Sequence, residues 1–516
     1  METWFIILVS LSVSALIKAF FNLLNFNTKN SNHKLPPGPS TLLIISNLLL
    51  LRKSSLEVRS FIRSLHIKLG PIITIRINSK PVIFIAERFL AHQALIQNGA
   101  VFADRPPATA LGRITGSNQH NINSAAYGPN WRLFRRNLMA EILHPSRVKS
   151  YSHARKWALQ ILLDCLNSQS KSIEPVRPID HFQYAVFCLL VLMCFGDKLD
   201  SKKIKEVEYV QRRMLVNLSR FNILNFWPRL TKILFHKRWK EFLQVRKEQY
   251  EVLMPLIRER RKMKKERLEK AKHDRKEVNG DFVLAYVDTL FDLELPEEKR
   301  KLDENEILSL STEFLGAGTD TTSTALQWVM ANLVKYPHIQ EKLSAEIKGV
   351  VGDEQREVKE DDLQKMPYLK AIIFESLRRH PPAHSLVPHA VTEDVILNGF
   401  LVPKNASISF TVVDIGWDPN VWEDPMEFKP ERFLNKDEVF DITGSREIKM
   451  MPFGVGRRIC PGLGLAMLHL EYFVANLIWF YEWKAMHGDE LNLEEKVEFT
   501  MVMKYPLKAH LIPRFK

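Results

Sequence analysis

Apolar positions run almost without interruption from Thr3 to Leu24. As a helix these 22 residues span ~33 Å, enough for a hydrocarbon core of ~30 Å, so the run reads as one N-terminal transmembrane helix. Lys18 breaks it only near the end, where a lysine reaches the headgroups. Glu2 precedes the run, Lys18, Lys29 and Lys34 follow its apolar centre, and no small-residue cleavage site appears. This favours an uncleaved anchor, with the rest of the chain in the cytosol, over a cleaved signal peptide. The stretch "KLPPGPS", Lys34 to Ser40, then stops the helix with three prolines and a glycine and predicts a stiff hinge. The expected division is an anchor over 1–24, a Pro-rich linker over 25–40 and a body over 41–516.

Within the body the period changes twice. Two-residue alternation around "IITIRINSKPVIFIA", Ile72 to Ala86, predicts a hairpin turning near Asn78-Ser79, and "VILNGFLVP" predicts another turning at Asn398-Gly399. Between them, from Trp131 to Leu377, helical periods dominate and no βαβ alternation or internal repeat appears. One long helix is expected to begin near "DENE", where Asp303 and Glu306 form a capping box, and to stop before Pro337. Its middle, "GAGTDTT" from Gly316 to Thr322, holds poor helix formers. Two readings compete there: a glycine tolerated for close packing, or a helix opened beside a ligand, with Thr321 bonding the carbonyl of Ala317 and Asp320 adding an ionisable group.

Composition adds little to this picture: 46% hydrophobic and 26% charged residues describe an ordinary packed protein. The net charge of +14 is partly local, because Arg258 to Lys276 carries an excess of seven positive charges. A solvated helix explains that excess best, anionic lipid next, and nucleic acid is set aside because no zinc-finger spacing, RNP-type motif or basic heptad accompanies it. Cysteines at 165, 188, 194 and 460 show neither framework spacing nor a C-x-x-C pair, so the first three read as small buried hydrophobes.

Cys460 differs, because it sits in the glycine-rich loop "PFGVGRRICPG", residues 452–462. Zinc needs further ligands, a disulfide needs a second cysteine and a catalytic thiol needs a nearby histidine, none of which the local sequence supplies. A lone thiolate does suffice as the single protein ligand of haem iron, and loop N–H groups with the start of the helix from Gly462 are expected to stabilise its charge.

The pattern Phe453-x-x-Gly456-x-Arg458-x-Cys460-x-Gly462 resembles the haem-binding loop of the cytochrome P-450 family. Other motifs of that family follow in order: "LPPGP", "FADRP", "YGPNWR", "AGTDTT", "ESLR" and "PERF". Together they look like the A-type plant members attached to the endoplasmic reticulum. The resemblance implies a cytochrome P-450 fold, mainly α with a small β-rich lobe, and makes 41–516 a haem-containing catalytic domain. It makes Cys460 the proximal ligand of haem b, places Trp131, Arg135, His389 and Arg458 at the haem propionates, and sets Ala317, Gly318, Phe453 and Gly462 against the cofactor. Asp320 and Thr321 become the acid and alcohol of a proton relay, while Glu375, Arg378 and Arg432 form a structural triad.

The implied reaction inserts one atom of O2 into a lipophilic small molecule and reduces the other to water. Its electrons come from NADPH through a separate reductase, with cytochrome b5 as a further donor, since the chain carries no dinucleotide fingerprint. Arg132, Arg136, Lys449 and Arg457 offer a basic docking face. An isomerase or dehydratase on the same fold, and a haem sensor or scaffold without turnover, are the alternatives; the retained Thr321 and the intact oxygen motif count against them. Candidate substrate contacts are the loop Pro107 to Ala126, Glu313, Gly316 and Ala317, Ala383 to Val387, and the turn near Val502. Glu313 lies ~80° around the helix from Thr321.

Overall fold

The computed structural model describes residues 34–39, 55–77, 80–170, 174–273, 283–434, 440–486 and 491–515, together with Ser10, Ser12 and Ser14. The expected transmembrane run lies almost wholly outside the described residues, as does the turn at Asn78-Ser79. Ten longer helices carry the body. They are α1 (Ser55–Leu69), α2 (Pro129–Glu141), α3 (Ser152–Ser170), α4 (Ile179–Phe195), α5 (Ser201–Phe221), α6 (His236–His273), α7 (Glu304–Lys335), α8 (Pro337–Val351), α9 (Pro367–Arg379) and α10 (Leu463–Phe480).

The longest apolar periods become the centre. Helix α4 is apolar on nearly all sides and α7 on most, so each must be surrounded by protein; α7 packs on α4, α9 and α10. Among the described residues α10 alone is long and apolar enough to cross a membrane, yet 67% of it is buried in the body, which makes it a core helix. The α7 capping box forms as its sequence requires: Asp303 Oδ1 accepts from Glu306 N at 2.9 Å, and Glu306 Oε2 accepts from Asp303 N at 2.7 Å. A proline at the first turn of α8 follows the end of α7.

Alternating residues build a lobe with its own hydrophobic core. Strands β1 (Ile72–Ile77) and β2 (Lys80–Ile85) pair antiparallel, with Ile77 opposite Lys80, as the expected hairpin requires. Strands β3 (His389–Ala390) and β6 (Ser407–Phe410) complete a sheet of order β1-β2-β6-β3, in which β2 and β6 run parallel. Strands β4 (Val395–Leu397) and β5 (Phe400–Val402) form the second expected hairpin. Its turn residues Asn398 and Gly399 have φ of 51° and 77°, the left-handed pair that a two-residue turn demands. Near the carboxyl end, β7 (Tyr481–Lys484) pairs with β10 (His510–Pro513), and β8 (Glu495–Val497) with β9 (Met501–Met503).

Three expectations need correction. The prolines of the hinge are docked: Thr74 N donates to Pro37 O at 2.8 Å, Leu401 N donates to Lys34 O at 2.9 Å, and a Cβ on Gly38 would lie 2.1 Å from Thr74 O. A stretch without hydrogen-bonding partners of its own thus borrows those of two neighbouring strands. Second, a short strand pair, Glu294–Leu295 with Arg300–Lys301, interrupts the expected helical pattern. Third, α7 stays α-helical through Gly316–Thr322 instead of opening. The packing reading holds at Gly318, where a Cβ would meet Leu190 of α4 at 2.7 Å.

The cysteine and charge readings stand. Cys188 and Cys194 are buried, Cys165 is half-buried, and none is in a disulfide. Basic residues of α6 pair with acidic neighbours: Arg258 with Glu304 and Lys264 with Asp292 lie toward solvent, as the solvated-helix reading expects, whereas Arg260 with Asp288 is a buried pair that this reading did not foresee.

Candidate functional site

The loop before α10 joins the two cores. Met450 and Phe453 pack with the helical core, while Met451 and Val455 belong to the core of the sheet lobe. Cys460 N donates to Phe453 O at 2.8 Å and closes the loop on itself. Gly456 has φ of 73°, and a Cβ there would sit 2.1 Å from Leu95 O, so both conformation and space require glycine. Gly462 caps α10, and its N–H faces the Cys460 sulfur. Burial nevertheless dominates: the thiol is pushed up, and the Gly462 N–H and Arg135 only partly offset it. The loop's peptide groups alone therefore do not supply the stabilised thiolate expected from the sequence.

Helix α2 places Trp131 and Arg135 on one face, four residues apart. The Trp131 ring is buried, and its Nε1 donor has no partner among the described residues. Arg458 lies 4.4 Å from the centre of that ring and donates to Ala103 O (2.7 Å), Ala125 O (2.7 Å) and Ile122 O (3.3 Å). Arg105, whose role sequence reasoning missed although its motif was visible, donates to Asn123 O (2.8 Å), Val387 O and Pro388 O (both 2.9 Å). Burial first, then repulsion from Arg105 and Arg135, lowers Arg458 to about 9. Arg105 falls to about 10 by burial. Positive charge is thus crowded here, with Asp104 and Glu313 as the carboxylates that answer it. His389 donates from Nδ1 to Phe102 O at 2.7 Å, and burial followed by Arg105 pushes it down to about 3. As a neutral ring it keeps only an acceptor nitrogen for other contacts.

On α7, Thr321 Oγ1 donates to Ala317 O at 2.7 Å, as the sequence predicted. Ala317 is exposed and Thr321 and Glu313 are half-exposed in a helix whose other residues are mostly buried, so packing from the described residues does not cover these positions. Burial pushes Asp320 up; Arg212 opposes the shift and Glu498 adds to it. The turn near Val502 reaches the same helix, since Thr500 Oγ1 lies 2.7 Å from Thr324 Oγ1. Glu313 accepts from Ile122 N (2.9 Å) and Asn123 N (2.6 Å), and burial raises it to about 7 against the pull of those bonds and of Arg105 and Arg458. Leu386, within the Ala383 to Val387 stretch, lies against Gly454 of the cysteine loop.

Glu375, Arg378 and Arg432 meet. Arg378 grips Glu375 through Nε (2.7 Å) and Nη2 (2.8 Å), and Arg432 Nε lies 3.4 Å from Glu375 Oε1. Of the four basic residues expected on a docking face, Arg132, Arg136 and Arg457 are exposed and Lys449 is half-buried. Arg132 and Arg457 both stack on the Tyr127 ring, at 5.2 and 5.6 Å.

Comparison with known proteins converges on one family. The profile for cytochrome P-450 matches residues 36–512. The chain is 48% identical to cytochrome P-450 89A9 of Arabidopsis thaliana, over 99% of each chain. It is 31% identical to isoflavone 3'-hydroxylase of Medicago truncatula, over 97% of this chain and 96% of that one, and 31% identical to costunolide synthase of Cichorium intybus, over 98% of each. A zebra fish cytochrome P-450 structure with progesterone superposes with a TM-score of 0.73 at 22% identity, covering 88% of this chain and 99% of the other.

Proposed function

The chain belongs to the cytochrome P-450 family, whose members are haem-thiolate monooxygenases, and on that premise we propose the roles of its residues, its redox partner and its class of substrate. The carrying observation is Cys460, a closely held thiol at the head of a core helix beside a cluster of under-answered cations. Cys460 would hold the haem iron: a thiol that burial keeps neutral would give up its proton to a metal cation bound directly to its sulfur.

The residues around it fit a planar dianion. Trp131 Nε1 is a buried donor without an acceptor, Arg135 makes no ion pair among the described residues, and Arg105 and Arg458 raise each other's electrostatic cost. Trp131, Arg135, Arg105 and Arg458 would hold two propionates, which would supply the missing charge and acceptors. His389 joins them only when a nearby anion restores its second proton. Phe453 and Gly462 would contact the cofactor beside Cys460, and Ala317 would contact it from α7. Gly318 serves that side indirectly, by seating α7 on α4.

When bound, haem supplies the one-electron and oxygen chemistry by which one atom of O2 enters the substrate and the other leaves as water. The protein manages protons and water. The Thr321 hydroxyl gives its own hydrogen to Ala317 O, which leaves its lone pairs free to hold a water or a proton at Oγ1. Asp320, a carboxyl that burial pushes up from its ordinary range, passes protons from the side of Arg212 and Glu498.

A separate NADPH reductase provides electrons, docking on the face that Arg132, Arg136, Lys449 and Arg457 make basic; cytochrome b5 uses the same face. The anchor over 1–24 holds the catalytic domain, 41–516, on the cytosolic side of the endoplasmic reticulum membrane. The substrate is a lipophilic small molecule, the class to which the names of the isoflavone and costunolide relatives point.

Thr321→Ala tests the relay. With reductase, NADPH and a substrate that is turned over, product formation falls by a factor on the order of 10², peroxide per NADPH rises and the haem spectrum is unchanged. Unaltered coupling would remove Thr321 from proton delivery.

A further inference from the structure

Helices α5 and α6 run antiparallel, in a register fixed by Arg213 with Glu248, Arg220 with Glu241 and Gln211 with Gln249. That register sets Arg246 of α6 level with Leu215 of α5. Leu215 in turn lies against α7: a Cβ on Gly316 would be 3.7 Å from its Cδ1, and the next residue is the exposed Ala317. On α6 itself, Gln249 turns to α5, while the Tyr250 hydroxyl donates to Glu304 at the start of α7 at 2.8 Å. Arg246 lies about one helical turn before both, on the face between them. It therefore stands in the seam where α5 and α6 meet α7.

No carboxylate answers this cation. Arg246 makes no ion pair among the described residues, and its one hydrogen bond runs from Nη1 to Gln249 Oε1 at 3.3 Å. Burial lowers it to about 10 with nothing opposing the shift, whereas Glu313 and Asp104 oppose it at Arg105. The two amides beside it add to the imbalance. Because the Gln249 oxygen faces the guanidinium, its NH2 group must face Gln211, and Nε2 donates to Gln211 Oε1 at 3.0 Å. The Gln211 NH2 group is then left over, and it has no partner. Turning the Gln249 amide round would set donor against donor at Arg246. Both glutamines are buried, at 2% and 5% exposure, so an unmet donor there is costly. The row Arg246, Gln249, Gln211 thus has surplus donors at both ends, and what it lacks is an acceptor that carries negative charge.

We propose that this seam binds a carboxylate, so that the substrate is a lipophilic carboxylic acid, held at Arg246 by its acid group while its apolar body runs past Leu215 towards Ala317 and Thr321. The proposal deepens the reading of the substrate as a lipophilic small molecule and rests on it. It assigns Arg246 the choice between an acid and its neutral counterparts.

The test uses the full haem-loaded protein in detergent and ω-imidazolylalkanoic acids of graded chain length, each paired with its methyl ester, so that the imidazole reports binding through the haem spectrum. At the best length and neutral pH the wild type binds the acid about tenfold or more tighter than the ester, the fold-change of one charge-assisted hydrogen bond. In Arg246→Met the acid and the ester bind within about twofold of each other. Arg246→Lys, which keeps the charge without the planar fork, falls between. A wild type that binds acid and ester alike overturns the proposal, as does a preference that survives in Arg246→Met. Removing an unanswered, desolvated cation leaves the ligand-free protein at least as stable, so the urea midpoint of Arg246→Met lies at or above that of wild type. A marked fall, or failure of the variant to accumulate, would make Arg246 a structural residue and overturn the proposal as well. A wild type without any azole-induced shift defeats the haem reading instead, and the seam is then judged by thermal unfolding: dodecanoate protects wild type more than dodecanol does, and that difference vanishes in Arg246→Met. Equal protection of wild type by the two overturns the seam.

Discussion

Cys460→Ser folds, retains its loop and loses the thiolate signature and turnover together. The hydroxyl has nearly the same shape, and the loop is closed by backbone, Cys460 N to Phe453 O and Ile459 N to Gly456 O, rather than by the sulfur. Denaturant unfolding therefore shifts by no more than about 1 kcal/mol. The electronic effect is large, because a serine hydroxyl does not reproduce the electron donation of a thiolate, on which cleavage of the O–O bond depends. Reductase-driven product formation falls to background, and the CO-difference band moves to that of a haem without thiolate. A variant that kept the wild-type band would place the ligand elsewhere, and Cys165, Cys188 and Cys194 lie within or against helical packing with no comparable loop.

Glu375→Ala produces the largest loss of stability. Glu375 is 0% and Arg378 1% exposed, and the carboxylate also accepts from Lys429 N at 2.9 Å. Arg378 extends the link to Gly416 O (2.8 Å) and Glu427 O (3.2 Å), so one ion pair ties α9 to two segments that precede the cysteine loop. Removing the acid leaves a guanidinium buried without its counter-ion, which costs about 3–5 kcal/mol. Against a typical total of about 5–15 kcal/mol this is a large fraction. Purified variant, if any accumulates, unfolds at markedly lower urea, and haem content falls in parallel. Arg378→Lys fares little better, because an ammonium cannot present the two-pronged contact that Glu375 receives. A urea midpoint within experimental scatter of wild type would mean that the pair is dispensable.

Much of this architecture is written in local patterns. Asn398-Gly399 specifies its turn, Asp303 and Glu306 specify the start of α7, and the spacing of Glu375 and Arg378 places both groups on one helix face. Each depends on residues within about one turn of each other, which is why sequence suffices. The features that escaped depend on distant partners. Gly318 alone says only that a side chain is absent; that the space belongs to Leu190 requires the packing of α4. The prolines of Lys34 to Pro39 suggest stiffness, but the strands they dock on lie far along the chain. Arg105 looked like part of a motif, and its importance lies in three carbonyls, two of them more than 280 residues away. The segment Thr115–Asn123 is the extreme case: nothing in "TGSNQHNIN" announces the left-handed residues Ser117, Asn118 and Gln119, because Ser117 is held by Asn305 O of α7 and Gln119 by Pro106, Ala108 and Ser124. The pKa of Cys460 escaped for a related reason, since donors are visible in a sequence and the depth of burial is not.

The central claim is that Cys460 presents a thiolate to haem iron. Its most direct test is the CO-difference spectrum of the dithionite-reduced, membrane-bound wild-type protein. The long-wavelength Soret band of thiolate ligation is expected, and Cys460→Ser should lack it. Absence of that band from a wild-type preparation that contains stoichiometric haem would contradict the assignment.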